Sequence, residues 1–177
     1  MAKSHTKRRI LLGVFLVLIV AGFALPESAV IPVQGATSQD WNSQSFWFAP
    51  WGKSGVHKGI DIFATKGTPL LAATNGIVVF RGELSLGGKV IAVLGPKWRI
   101  HYYAHLSSID VKVASIVRKG EVIGAVGDTG NAAGKPPHLH YAVVTILPYL
   151  WRWDGSTQGW KKIFFLDPCS IFTATHG

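Results

Sequence analysis

The hydrophobic pattern divides the chain into a long apolar run, a polar stretch and a region of short alternating segments. Residues 10–25 form an unbroken apolar run, preceded by Lys3, Lys7, Arg8 and Arg9. As a helix this run is ~24 Å long, short of the ~30 Å hydrocarbon core of a bilayer. A basic start followed by an apolar run predicts a signal peptide or N-terminal membrane anchor over residues 1–25, with inner-membrane anchoring through 10–25. Residues 26–46 carry Pro26, Pro32 and Gly35, then Ser, Gln, Asp and Asn, and read as a linker. A folded domain is expected over 47–172.

Within that domain the pattern changes to short β-rich runs separated by glycine-bearing turns. Strands are predicted over 59–63, 70–73, 76–82, 89–94, 99–105, 122–126 and 138–145. Turn signals fall at Lys66-Gly67-Thr68-Pro69, Thr74-Asn75-Gly76, Leu86-Gly87-Gly88, Arg118-Lys119-Gly120 and 127–137. No helical periodicity longer than two turns occurs inside the domain. The expected fold class is all-β, an antiparallel β-sheet core preceded by an N-terminal hydrophobic helix.

Composition adds a compartment and removes some functions. The single cysteine, Cys169, excludes an intramolecular disulfide. The net charge is +9, but four of the 18 basic residues lie in the leader, which leaves fourteen basic against nine acidic residues. A mildly basic exported domain suits an anionic polymer such as a bacterial wall. Outside the leader the Lys and Arg residues occur singly or in pairs and build no basic stripe, so nucleic acid is not expected as a partner.

The histidines point to chemistry. Five of the seven fall between His57 and His140, and two of them form His138-Leu139-His140. In a strand, residues i and i+2 share a face, so these two imidazoles project side by side. A second element, His57-Lys58-Gly59-Ile60-Asp61, places a carboxylate four residues after an imidazole, on a turn feeding a strand. Two imidazole nitrogens and one carboxylate oxygen suit a catalytic zinc with three protein ligands and an open fourth position. One of the His138/His140 pair is expected to ligate and the other to stand beside the metal. His105 closes a strand on which His101 and Tyr103 share its face, and it is a candidate proton carrier alongside His138. His101, two strand steps away, is read as a rim or structural residue.

At this point the chain resembles the lysostaphin-type (LytM-like) zinc endopeptidases of bacterial cell walls. The resemblance rests on "HKGIDIFATKGTPLLAATNGIVVF", "YYAHLSSIDVKV", "VRKGEVIGAVGDTG" and "PPHLHYAVV", in the family's order and spacing. It implies one Zn2+ held by His57, Asp61 and His140, with His105 and His138 handling protons and the transition state. It implies peptidoglycan peptides as substrates, either stem cross-links or glycine bridges, and assigns no protein partner. Three departures stand out. Ala142 occupies a position where relatives commonly carry Glu, and Ala114 replaces a frequent Gly. The segment "LPYLWRWDGSTQGWKKIFF" over 147–165 is longer and richer in Trp than usual. That segment is expected to turn at Asp154-Gly155 and pack its aromatics on the sheet; Trp41, Trp47 and Trp51 are likewise expected to serve packing.

Two other functions are weighed against a hydrolase. A catalytically silent wall-binding scaffold or activator is disfavoured because all five histidine and aspartate positions are filled. A lipoyl- or biotinyl-type carrier barrel echoes "KGEVIGAVG" but needs a hairpin-tip Lys flanked by Met, and Met1 is the chain's only methionine.

Overall fold

The structure, a computed structural model, describes residues 2–173. Among the described residues, ten strands form two antiparallel sheets. The larger runs β1 (Ile60–Phe63), β9 (His138–Thr145), β5 (Arg99–Leu106), β4 (Gly88–Leu94), β3 (Gly76–Leu84) and β7 (Ile116–Val117). β10 (Phe165–Leu166) pairs with the outer half of β9, along the edge that β1 uses further back. The smaller sheet is β2 (Pro69–Leu71), β8 (Val122–Ala125) and β6 (Ser108–Ile109).

Strand alternation gives the larger sheet two distinct faces. Ile60, Ile62, Ile91, Val93, Tyr103, Leu139, Tyr141 and Val143 point inward and pack with Leu70, Ile123 and Val126 of the smaller-sheet region in one core. Asp61, Phe63, Tyr102, Ala104, His138, His140, Ala142 and Val144 line a cleft on the other face. The all-β expectation and its seven strands are found, with 70–73 shortened to β2 and three two-residue strands added. Those three are too short to carry a readable alternation.

The stretch 26–46 behaves differently from a tether. Ala29 and Val33 belong to the core, and Val33 bridges Leu70 on β2. Val30 N–H donates to Ala73 O at 2.9 Å, Leu71 N–H to Pro32 O at 2.9 Å, and Gln34 N–H to Pro69 O at 3.0 Å. The apolar group Ala29-Val30-Ile31-Pro32-Val33 is masked in composition by the Ser, Gln and Asn that follow. Glu27 enters a buried polar cluster, pairing with Arg99 and lying 3.6 Å from His101 Nε2. His101 is fully buried and its Nδ1 is 2.6 Å from the Tyr141 hydroxyl, so it is a structural histidine and not a rim residue.

The N-terminal helix α1 (Ala2–Ala24) leaves most of its apolar side chains exposed. It touches the domain at Trp98, whose Nε1–H donates to Ile19 O at 3.0 Å. Among the described residues no helix is long and apolar enough to cross a membrane. The Trp-rich segment is corrected too. In place of a hairpin it forms 3-10 turns at Leu150–Arg152 and Gly159–Phe164 before β10. Trp151, Trp153 and Trp160 stay exposed at 79%, 67% and 54%. The Asp154 side chain organises this turn by accepting from Ser156 N–H at 3.0 Å and from Lys162 Nζ at 2.5 Å.

Candidate metal centre

Sheet register builds the centre. β1 and β9 pair so that Asp61 lies directly opposite His140 and Phe63 opposite His138. Both pairs face the cleft because residues i and i+2 share a side. His57 reaches the same point through Lys58-Gly59, immediately before β1. Gly59 is required there: a Cβ on it would meet Tyr141 O at 2.3 Å and Ala142 Cβ at 3.1 Å. The His57 backbone is clamped by the preceding loop, donating to Phe48 O at 3.0 Å and accepting from Trp47 N–H at 2.7 Å.

Three donor atoms converge. His57 Nε2 lies 3.0 Å from Asp61 Oδ1 and 3.1 Å from His140 Nδ1, which is 2.8 Å from Asp61 Oδ1. His57 Nδ1 is 3.0 Å from Ser45 O, and a carbonyl only accepts, so Nδ1 carries the hydrogen. With Nδ1 so committed, Nε2 of the neutral ring is a lone pair aimed at two other electron-pair donors, and the three atoms need a shared cation, a proton or a metal ion, to lie this close. Tetrahedral zinc with ligands at ~2.0–2.1 Å sets its donors about 3.3 Å apart, close to the spacing found. The donor set fits a divalent ion. Burial alone would raise the Asp61 carboxyl, but hydrogen bonds and charge from His140 and His57 hold it well below the ordinary carboxylate range. It is an anion near neutral pH, as a ligand must be.

Beside these donors stand the other two expected residues. The His105 ring lies 5.0 Å from that of His138 and 6.0 Å from that of His140, centroid to centroid. His105 Nδ1–H donates to Thr129 O at 2.9 Å, and His138 Nδ1–H to Pro136 O at 2.8 Å. Each Nε2 is thereby left as an acceptor. Burial pushes His105 down to about 4, reinforced by His140 and His138 and opposed by its bond to Thr129, so the ring is neutral at pH 7.

One expectation about this residue fails instructively. Alternation would put His105 with His101 and Tyr103, which are buried on the core side. The backbone of His105 instead takes φ 68°, which turns its side chain into the cleft with Tyr102 and Ala104. A left-handed non-glycine residue costs about 1–2 kcal/mol, and such strain gathers at working sites.

Several supports of the site leave no sign along the chain. Trp51, expected as mere packing, stacks on His57 with ring centroids 4.1 Å apart and planes 20° apart. The carbonyls of Ser45, Thr129 and Pro136 orient three imidazoles, and backbone groups leave no trace in side-chain identity. The cleft holding all five residues has a volume of about 740 Å³, walled by Trp51, Phe63, Tyr102 and Phe165 among others.

Known proteins resemble this chain in sequence and fold. The chain is 38% identical over 113 residues to the L-Ala–D-Glu endopeptidase of Bacillus subtilis, covering 59% of this chain and 35% of that protein. It is 38% identical over 89 residues to lysostaphin of Staphylococcus simulans, covering 49% of this chain and 18% of that protein. The chain thus spans about a third or less of these relatives' lengths. Among solved structures, the catalytic domain of lysostaphin from Staphylococcus simulans superposes with a TM-score of 0.57 at 30% identity, covering 71% of this chain and 86% of that one. A zinc-containing peptidase from Vibrio cholerae gives 0.55 at 25% identity, over 66% of this chain and 36% of that one. The matched stretch, residues 55–148, begins just before His57 and ends just after β9, enclosing all five cleft residues, and on it this chain belongs to peptidase family M23.

Proposed function

We propose that the protein is a zinc-dependent endopeptidase that hydrolyses peptide bonds in bacterial peptidoglycan outside the cytoplasm. The observation that carries this reading is the meeting of His57 Nε2, Asp61 Oδ1 and His140 Nδ1 within 3.1 Å of one another at the floor of a cleft. His57, Asp61 and His140 hold the ion. Once bound, zinc supplies Lewis-acid polarisation of a peptide carbonyl and acidifies a water.

The chain's own residues do the rest. The Ser45 carbonyl and Trp51 ring fix the orientation of His57. His105 Nε2, neutral at pH 7, accepts a proton from the attacking water and returns it to the departing amine nitrogen. His138, its ring oriented by Pro136 O and standing beside His105, is the second proton carrier at the reacting group. The basic start and apolar run of α1 support export, and the L-Ala–D-Glu bond for which one relative is named supports a wall peptide as target.

The test uses the full chain, since Ala29 and Val33 belong to the core. The zinc-loaded protein is incubated with purified peptidoglycan, with and without a chelator, and new termini are identified by mass spectrometry. Chelator-sensitive release of peptides, lost in His140→Ala, is expected. Peptide release that persists in the chelator overturns the assignment, and wall binding without cleavage makes the protein a scaffold.

A further inference from the structure

The charges lining the cleft are unbalanced, and the imbalance bears on the substrate. Lys53, Lys58 and Lys135 all line it, whereas Asp61 is the one acid among the lining residues. That acid is committed to His57 and His140. None of the three lysines forms an ion pair among the described residues, although Lys66, Arg99 and Lys162 elsewhere each do. Lys58 is anchored through carbonyls alone, donating to Ser54 O at 3.1 Å and Val56 O at 3.4 Å. On the strand face beside His140 the cleft is lined by Ala142, which brings no counter-charge. A divalent ion at the donor set would add to the positive potential, and a concave low-dielectric wall concentrates it.

We infer that the cleft selects an anionic peptide: one bearing free carboxylates beside the scissile bond, bound through Lys53, Lys58 and Lys135. This rests on the hydrolase reading and sharpens it. Stem peptides of the wall carry such carboxylates, while a glycine bridge is neutral along its length. The lysines act on binding, through charge, and the histidines on the chemical step. The carboxylate preference therefore resides in KM and weakens as salt screens it.

The experiment compares three probes on the zinc-loaded full chain: a synthetic stem peptide, the same peptide with its carboxylates converted to carboxamides, and pentaglycine capped as its C-terminal amide. The acidic peptide is expected to be cleaved at least about tenfold more efficiently than the amidated one, with the difference in KM, since each exposed ion pair contributes up to about fivefold. Lys53→Ala/Lys135→Ala, both exposed positions, should lower kcat/KM for the acidic peptide several-fold more than for the amidated one. Lys58→Ala should act in the same direction. Equal cleavage of acidic and amidated peptides, a preference for pentaglycine, or an equal loss on both peptides in the lysine variants overturns the inference. Calorimetry of the same probes with zinc-loaded His105→Ala separates the two readings. If nothing is cleaved the hydrolase reading fails, while binding of the acidic peptide alone still upholds the charge selection and equal binding refutes it.

Discussion

Gly59→Ala should disrupt the metal centre although residue 59 touches no metal. Its Cβ would stand 2.3 Å from Tyr141 O and 3.0 Å from Tyr141 C, where ordinary contact begins at 3.4 Å. The obstacle is backbone of β9, one residue from His140, so no side chain can swing aside. About 1 Å must open between the segment carrying His57 and the strand carrying His140. Gly59 is not in the left-handed region, so the effect is purely one of space. Overpacking of this kind costs about 1–3 kcal/mol. In a domain of this size that lowers the melting temperature by roughly 3–10 °C. Displaced ligands should weaken zinc binding about 10- to 100-fold, the range seen when a metal's supports are lost. Thermal melts of the metal-free protein and chelator competition for zinc read the two effects separately. Gly155→Ala is the control: it has open space around its Cβ and no left-handed φ, and should change neither. If Gly59→Ala melts within about 1 °C of the parent and holds zinc equally well, then close packing of 57–61 on β9 does not assemble the site.

Other predictions follow from single contacts. Ala114 is exposed with φ 68°, and Ala114→Gly should stabilise the fold by about 0.5–1 kcal/mol, raising the melting temperature by a few degrees. Val33→Ala should destabilise by about 2 kcal/mol in chemical denaturation if 26–46 is part of the fold, and by almost nothing if it is a tether. Zinc at a thousandfold excess over its Kd should add about 4 kcal/mol to stability, an increment that Asp61→Ala abolishes in calorimetry. Trp51→Ala should leave the melting temperature nearly unchanged yet weaken zinc binding several-fold in the same chelator competition, because the ring it removes orients His57.

Seven of the strands were legible because each is long enough to show either alternation or a run of β-branched residues between glycine turns. β9 was the clearest: His138, His140 and Ala142 fall on one face and Leu139, Tyr141 and Val143 on the other. The failures share a cause. Residues 26–46 and 147–165 are judged by composition when no period is present, and composition does not report where a segment docks. Five apolar residues from Ala29 to Val33 suffice to bridge β2 and fill the core, yet they are outvoted by the polar residues behind them. Conversely, the tryptophans of 147–165 look like core and are held outward by a turn built on Asp154.

The candidate site divides along the same line. Strand parity and turn spacing are local rules that offer one imidazole of the His138/His140 pair to the His57–Asp61 turn; the family resemblance singles out His140, and antiparallel register sets it opposite Asp61. His105 obeys no such rule. Parity sends it to the core with His101, and the left-handed backbone at φ 68° reverses it at this one residue. His105 N–H donates to Gly87 O at 2.7 Å, which anchors the kink to the β3–β4 turn. Gly88 in that turn lies so close to Thr129 and Gly130 that a Cβ on it would meet Thr129 C at 2.4 Å, and Thr129 O is the acceptor that orients His105. His105, the proposed proton carrier, is thus placed by two distant loops packed backbone to backbone, and glycine at residue 88 is what lets them meet. The same reasoning covers the lysines. Lys53, Lys58 and Lys135 are unremarkable along the chain, and they become a charge pattern only when the 51–58 loop and the 127–137 turn are folded onto one cleft.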